Sequence, residues 1–133
     1  MRVIKPIDWK GIIHKHVDER LVKGEFGEQF VKECLVKKGL RLERQEKRAP
    51  GLPDFRIQDT PMFVEVKTHE KKTPPVWQKP FFSMMIKMGW QIYIAQPRIR
   101  ISEDSVVCKR IDWYRFMDNG RLDPVEGFPV MCH

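Results

Sequence analysis

The amino-acid pattern predicts an α/β domain: a central mixed β-sheet flanked by helices. Three observations carry that expectation. Apolar residues recur at helical spacing from about Asp18 to Lys38 and stop at Gly39. Two short alternating runs, Asp54–Ile57 and Met62–Lys67, flank a turn. A second apolar helix then leads into a strong strand at Trp90–Ala95.

Taken in order, the stretch before Lys15 mixes Pro6, Trp9 and Gly11 with scattered apolar residues and gives no assignment. The first helix, from about Asp18 to Lys38, has Lys37 and Lys38 in its last turn and Gly39 at the position where helices commonly close. Leu40–Arg44 alternates and reads as a short strand, and Arg48–Pro53 reads as a loop by its Pro and Gly content. The turn Gln58–Pro61 makes an antiparallel hairpin of the two strands around it. Thr68–Pro75 is a charged loop. The second helix lies between Val76 and Met88, ends at Gly89, and starts or kinks at Pro80. Phe81, Met84, Met85 and Met88 are expected to pack in the core from it. The strand Trp90–Ala95 is expected to stop at Pro97. Beyond it, Ile99–Ile101 and Val106–Cys108 suggest a further hairpin and Ile111–Met117 a short helix.

The length of 133 residues suits one domain, with a core at about 18–96 and an appendage at about 97–133. No apolar run approaches the roughly 18 residues of a membrane span, and Met1–Lys5 lacks the apolar core of a signal peptide. Neither a membrane partner nor secretion is expected. Three widely spaced cysteines, Cys34, Cys108 and Cys132, suit free thiols in a reducing compartment, so a cytoplasmic location is expected, or the host cytoplasm for a viral chain. The net charge of +7 is uneven: residues 1–100 hold 21 basic against 12 acidic side chains, and residues 101–133 hold 4 against 6. That balance favours a polyanionic partner, nucleic acid before membrane.

The hairpin carries the chemistry. Alternation puts Phe63, Glu65 and Lys67 on one face of their strand, and Asp54 opens the preceding strand directly after Pro53. If the hairpin pairs as written, Asp54 lies near the Glu65 end. Two carboxylates beside a lysine supply hard oxygen ligands for Mg²⁺, with positions left for water and phosphate, and a cation to orient water or offset transition-state charge. The bland alternative is an exposed strand with a neighbouring Glu–Lys pair. On the first helix, Glu28 falls in the apolar stripe with Leu21, Gly24, Val31 and Leu35, where a lone carboxylate is costly to desolvate. It either pairs with an arginine such as Arg41 or Arg44, or serves as a third carboxylate for the Asp54/Glu65 pair.

Pro53-Asp54 followed by Glu65-Val66-Lys67 resembles the PD-(D/E)xK signature of the restriction-endonuclease-like nuclease superfamily. Gly24-x-x-x-Glu28 with Gly39 is similar to the opening helix of archaeal Holliday junction resolvases. Gly51-Leu52-Pro53-Asp54, Phe63–Lys67 and Gln78 look more like the VRR-NUC branch. The resemblance covers about residues 20–95, and the resolvase branch has no obvious counterpart of Gln78. It implies an αβββαβ core, with Asp54 and Glu65 ligating Mg²⁺ or Mn²⁺ and the Val66 carbonyl adding a ligand. It further implies that Lys67 positions the water or stabilises the transition state. Glu28 would complete the site directly or through water, and Gln78 would support the lysine or a phosphate. The implied activity is hydrolysis of DNA phosphodiesters, by an endonuclease selective for branched or junction DNA and acting as a homodimer. The alternatives are an exonuclease or restriction-type enzyme, or an inactive DNA-binding module on the same fold.

Backbone contacts are expected first from Arg41, Arg44, Lys47 and Arg48, which lead into the Pro53-Asp54 loop, and next from Lys71 and Lys72. The four tryptophans suit the core better than base stacking, Trp90 above all. His14, His16, Cys132 and His133 lack the spacing of a zinc site.

Overall fold

A computed structural model describes residues 3–6, 19–45, 51–68, 74–101 and 105–126. Its elements are β1 (Val3–Pro6), α1 (Glu19–Lys37), β2 (Leu42–Arg44), β3 (Phe55–Ile57), β4 (Met62–Val66), α2 (Lys79–Lys87), β5 (Gln91–Ile101), β6 (Ser105–Phe116) and β7 (Leu122–Val125). The fold is α/β. One sheet of seven strands runs β1-β6-β5-β4-β3-β2, with β7 also paired to β6. Strands β2, β3 and β4 form an antiparallel meander, β4 and β5 are parallel, and β5 and β6 are antiparallel, so the sheet is mixed. The single parallel step follows from α2, which carries the chain from the end of β4 back to the start of β5. No helix among the described residues is long and apolar enough to cross a membrane.

Helix α1 ends as its sequence dictates. Gly39 has φ +84°, its N–H donates to the Val36 carbonyl at 2.9 Å, and the Leu40 N–H donates to the Leu35 carbonyl at 3.2 Å. These two bonds satisfy the last carbonyls of the helix, and Leu40 turns back onto the core beside Leu35.

Alternation along β4 and β5 divides the core into two layers. Val64, Tyr93 and Ala95 face α1 and pack with Val31, Leu35, Phe55, Ile57 and Trp113. Phe63, Ile92 and Ile94 face α2 and pack with Phe82, Met85, Tyr114 and Phe116. Phe82 meets Phe116 edge-on, with ring centroids 5.4 Å apart. Glu65 pairs with Ile94 across the parallel ladder, so it belongs to the α2 layer together with Phe63. The middle of α1 covers the far end of the β5–β6 ribbon, where Phe26 and Phe30 pack on Val106 and Cys108. Cys34 and Cys108 are buried free thiols, and burial pushes Cys108 up to about 11.

Three expectations about the chain after Trp90 change. The strand at Trp90–Ala95 does not stop at Pro97; β5 continues to Ile101. The last β4 rung is Val66 with Ala95, so Pro97 turns its missing N–H to an edge where the β4 ladder has already ended, and no ladder bond is lost. Ile111–Met117 is not helical: Ile111–Phe116 is the second half of β6, held by β5 on one edge and β7 on the other. Trp113 and Phe116 have helical spacing, yet a segment rich in aromatics with two open strand edges beside it takes the extended form. The segment after Pro97, read as an appendage, supplies the outer half of β5 together with β6 and β7 of the same sheet.

In α2, Phe82 and Met85 are buried and Phe81 is partly so, whereas Met84 and Met88 are 49% and 70% exposed. A short helix on a sheet buries one stripe, and those two methionines lie off it. Trp113 is buried, Trp90 is half-buried against Phe63, and Trp77 is exposed; Trp9 lies outside the described residues.

Candidate functional site

The site grows out of the β3–β4 hairpin. Phe55 pairs with Val64, so one step further brings Asp54 opposite Glu65. The loop Gly51-Leu52-Pro53 delivers Asp54 by lying against α2. Gly51 has φ +98°, and a Cβ there would come within 3.2 Å of the Phe81 ring, so glycine is needed for both the turn and the close approach. Asp54 is fixed at both ends: its carbonyl accepts from Gln45 N–H at 3.1 Å, and its Oδ2 accepts from Val66 N–H at 2.8 Å. The Val66 carbonyl projects from the same edge of β4 as that N–H, on the Asp54 side, because the β5 side is taken by residues 65 and 67.

Glu65 is 4% exposed, and three groups converge on it. Gln78 Nε2 donates to its Oε2 at 2.6 Å, and Lys67 Nζ approaches the same oxygen at 3.6 Å. The third is the Asp54 carboxyl. Burial, then a hydrogen bond to Asp54 and the Asp54 charge, push Glu65 up to about 8, while Lys67 and Gln78 pull it down. Two carboxyl groups this close, with one nearly dry, must share a proton or a cation. The donor set, two carboxylates with a carbonyl beside them, is all hard oxygen and fits Mg²⁺ or Mn²⁺ with water completing the shell. Among the described residues no group of three or more His, Cys, Asp or Glu is placed to hold a metal ion, so a cation here rests on Asp54 and Glu65.

Gln78 stands immediately before α2 but does not cap it through its side chain; the side chain reaches inward and is 4% exposed. Its Oε1 is buried without a hydrogen-bond partner, a second sign that this pocket has polar capacity left to fill. Helix Glu28, the expected third carboxylate, forms an ion pair with Arg44 at 3.2 Å. The arginine pairing, one of the two readings open in the sequence, is formed.

Among the expected backbone contacts, Arg41 is exposed and Arg44 carries Glu28, while Lys47, Arg48, Lys71 and Lys72 lie outside the described residues. The sequence reading missed a different basic group. Lys23, Arg98, Arg100, Lys109 and Arg110 line one concave surface that also includes Thr68, the residue after Lys67. The signals were Arg98-Ile99-Arg100 and Lys109-Arg110, which fall in two separate short elements of the sequence reading, the second of them in the acidic segment 101–133.

Compared with family models, with curated proteins and with solved structures, the chain matches none.

Proposed function

We propose that this chain is a divalent-metal-dependent DNA nuclease in which α1-β2-β3-β4-α2-β5 is a restriction-endonuclease-like αβββαβ core. One observation carries the reading: Asp54 and Glu65 converge across the β3–β4 hairpin, with Lys67 and Gln78 meeting at a single oxygen of Glu65. The ordered motif Pro53-Asp54, Glu65-Val66-Lys67 and Gln78 supports the same family.

Asp54, Glu65 and the Val66 carbonyl are the groups that would hold Mg²⁺ or Mn²⁺. When bound, the ion supplies Lewis-acid polarisation of a phosphate and a lowered pKa for water. The chain's own residues do the rest. Val66 N–H holds Asp54 in one orientation, and Gln78 does the same for Glu65. Lys67 stands beside the pair with its ammonium mostly out of water, where it orients an attacking water and offsets charge building on the phosphate. Glu28 joins through Arg44, whose side chain is well exposed and able to contact a phosphate.

The substrate proposed is branched DNA, cut by a homodimer, since a two-fold dimer matches the two equivalent strands of a junction. The test is a cleavage panel in Mg²⁺ with linear, nicked, flap, splayed and four-way junction DNA, run beside Asp54→Ala. Cleavage by the parent chain and none by the variant is the expected result. Binding of DNA without cleavage in any divalent metal would instead make the chain a binding module on this fold.

A further inference from the structure

We propose that the outer β5–β6 ribbon and the start of α1 form a groove for the phosphodiester backbone of a nucleic acid, running away from the Asp54–Glu65 site. The inference rests on the nuclease reading for the role of that site. Its own foundation is separate. The groove is a cavity of about 400 Å³ lined by Lys23, Thr68, Arg98, Arg100, Lys109 and Arg110 among others.

Regular strand alternation would not put Lys109 and Arg110 into the same groove, because neighbours on a strand face opposite ways. A β-bulge does it. Arg98 pairs with Arg110 and Ile99 with Cys108, so Lys109 is an extra residue on β6 with no opposite number. Such an insertion re-aims the side chains around it, and here two consecutive cations reach one concavity.

Charge and shape agree on the occupant. Arg98 Nε and Arg110 Nε hold the two oxygens of Asp112, at 2.8 and 3.0 Å. One carboxylate thus fixes two guanidinium groups side by side and leaves a surplus of positive charge. Arg100 and Lys109 are exposed at the rim. A cluster of like charges converging from α1, β5 and β6 is a cost to the folded chain that a polyanion removes. At roughly 3.3 Å per residue, β5 extends about 16 Å from its last rung with β4 to Arg100, too long for one phosphate and suited to several in succession. Thr68, one residue after Lys67, lies against Gly27 of α1 and lines the groove wall, so the groove begins at the end of β4 that carries the site.

The experiment uses Arg100→Ala/Lys109→Ala, and Arg100→Glu/Lys109→Glu as the stronger form. Lys32→Ala/Lys37→Ala, at two exposed α1 positions outside the groove lining, is the control. Binding to labelled DNA, and to RNA of the same sequence, is followed by anisotropy in Ca²⁺ over a range of KCl, with thermal melts to confirm folding. Loss of two phosphate contacts predicts that the slope of log K against log salt becomes shallower by about 2 and that affinity falls about 10- to 100-fold. The control pair is expected to match the parent. If the parent binds and cuts while both groove variants bind with unchanged slope, the groove inference fails and the nuclease reading stands. If the parent binds, the variants lose slope, and no divalent metal yields cleavage, the groove stands and the nuclease reading fails. Binding to neither polymer sinks both. A preference for RNA keeps the groove and overturns the choice of DNA.

Discussion

Gln78 Nε2 donates a 2.6 Å hydrogen bond to Glu65 Oε2, the same oxygen that Lys67 Nζ approaches at 3.6 Å. The contact ties the entry of α2 to the end of β4, so the crossover that makes β4 and β5 parallel also orients the buried carboxylate. Removing the amide frees a group that the low-dielectric pocket otherwise holds in one orientation.

Gln78→Ala is therefore expected to weaken metal-dependent cleavage about 10- to 100-fold, the usual cost of losing a partner that orients a ligand. Titration of Mn²⁺ by calorimetry should show a matching loss of affinity. A variant that binds Mn²⁺ as tightly as the parent would remove Gln78 from the site.

Lys67→Ala is expected to lower the single-turnover cleavage rate about 100- to 1000-fold, with the DNA dissociation constant in Ca²⁺ changed far less. Asp54→Ala and Glu65→Gln should abolish metal-dependent cleavage as well. Equal DNA affinity of the parent chain in chelator and in Ca²⁺ would count against the pair as a metal site, because the pair keeps negative charge that repels a polyanion until a cation neutralises it.

Glu65 also makes stability depend on pH. Its folded-state value is pushed from 4.5 up to about 8, first by burial and then by Asp54. Between those limits the folded chain binds a proton that the unfolded chain has released. Stability in chelator is therefore greatest at the acid end of the window and falls as pH rises through it to about 8. Glu65→Gln cannot ionise and should give a flatter profile. Urea unfolding at intervals across the window, for parent and variant, checks this; parallel profiles would show that Glu65 is not the group responsible.

Glu28→Ala and Arg44→Ala remove the two halves of one ion pair whose side chains are 28% and 61% exposed. Each is expected to cost at most about 1 kcal/mol of stability. Their effects on cleavage should match if Glu28 acts through Arg44. A collapse of cleavage in Glu28→Ala alone would instead make it a third carboxylate of the site.

Phe82→Ala should destabilise the fold by about 3–5 kcal/mol, read from urea unfolding, since its ring is fully buried between α2 and the sheet. A double-mutant cycle with Phe116 isolates the edge-on ring contact, which should account for about 0.5–1.5 kcal/mol of that loss.

Local chemistry determined what could be read locally. Gly39 closed α1 where its left-handed φ was required, the Gln58–Pro61 turn fixed the hairpin register, and that register alone set Asp54 opposite Glu65. Those are interactions between near neighbours, and side-chain periodicity exposes them. Tertiary structure decided the rest. Whether Glu28 met Arg44 or the carboxylate pair depended on how α1 lies on the sheet. Whether Ile111–Phe116 became helix or strand depended on the open edges offered by β5 and β7. The basic groove needed a bulge at Lys109 and the approach of α1 to β5, contacts between residues that are distant in the chain. No residue pattern encodes such convergence by itself, because the energy that selects it comes from burying one element against another.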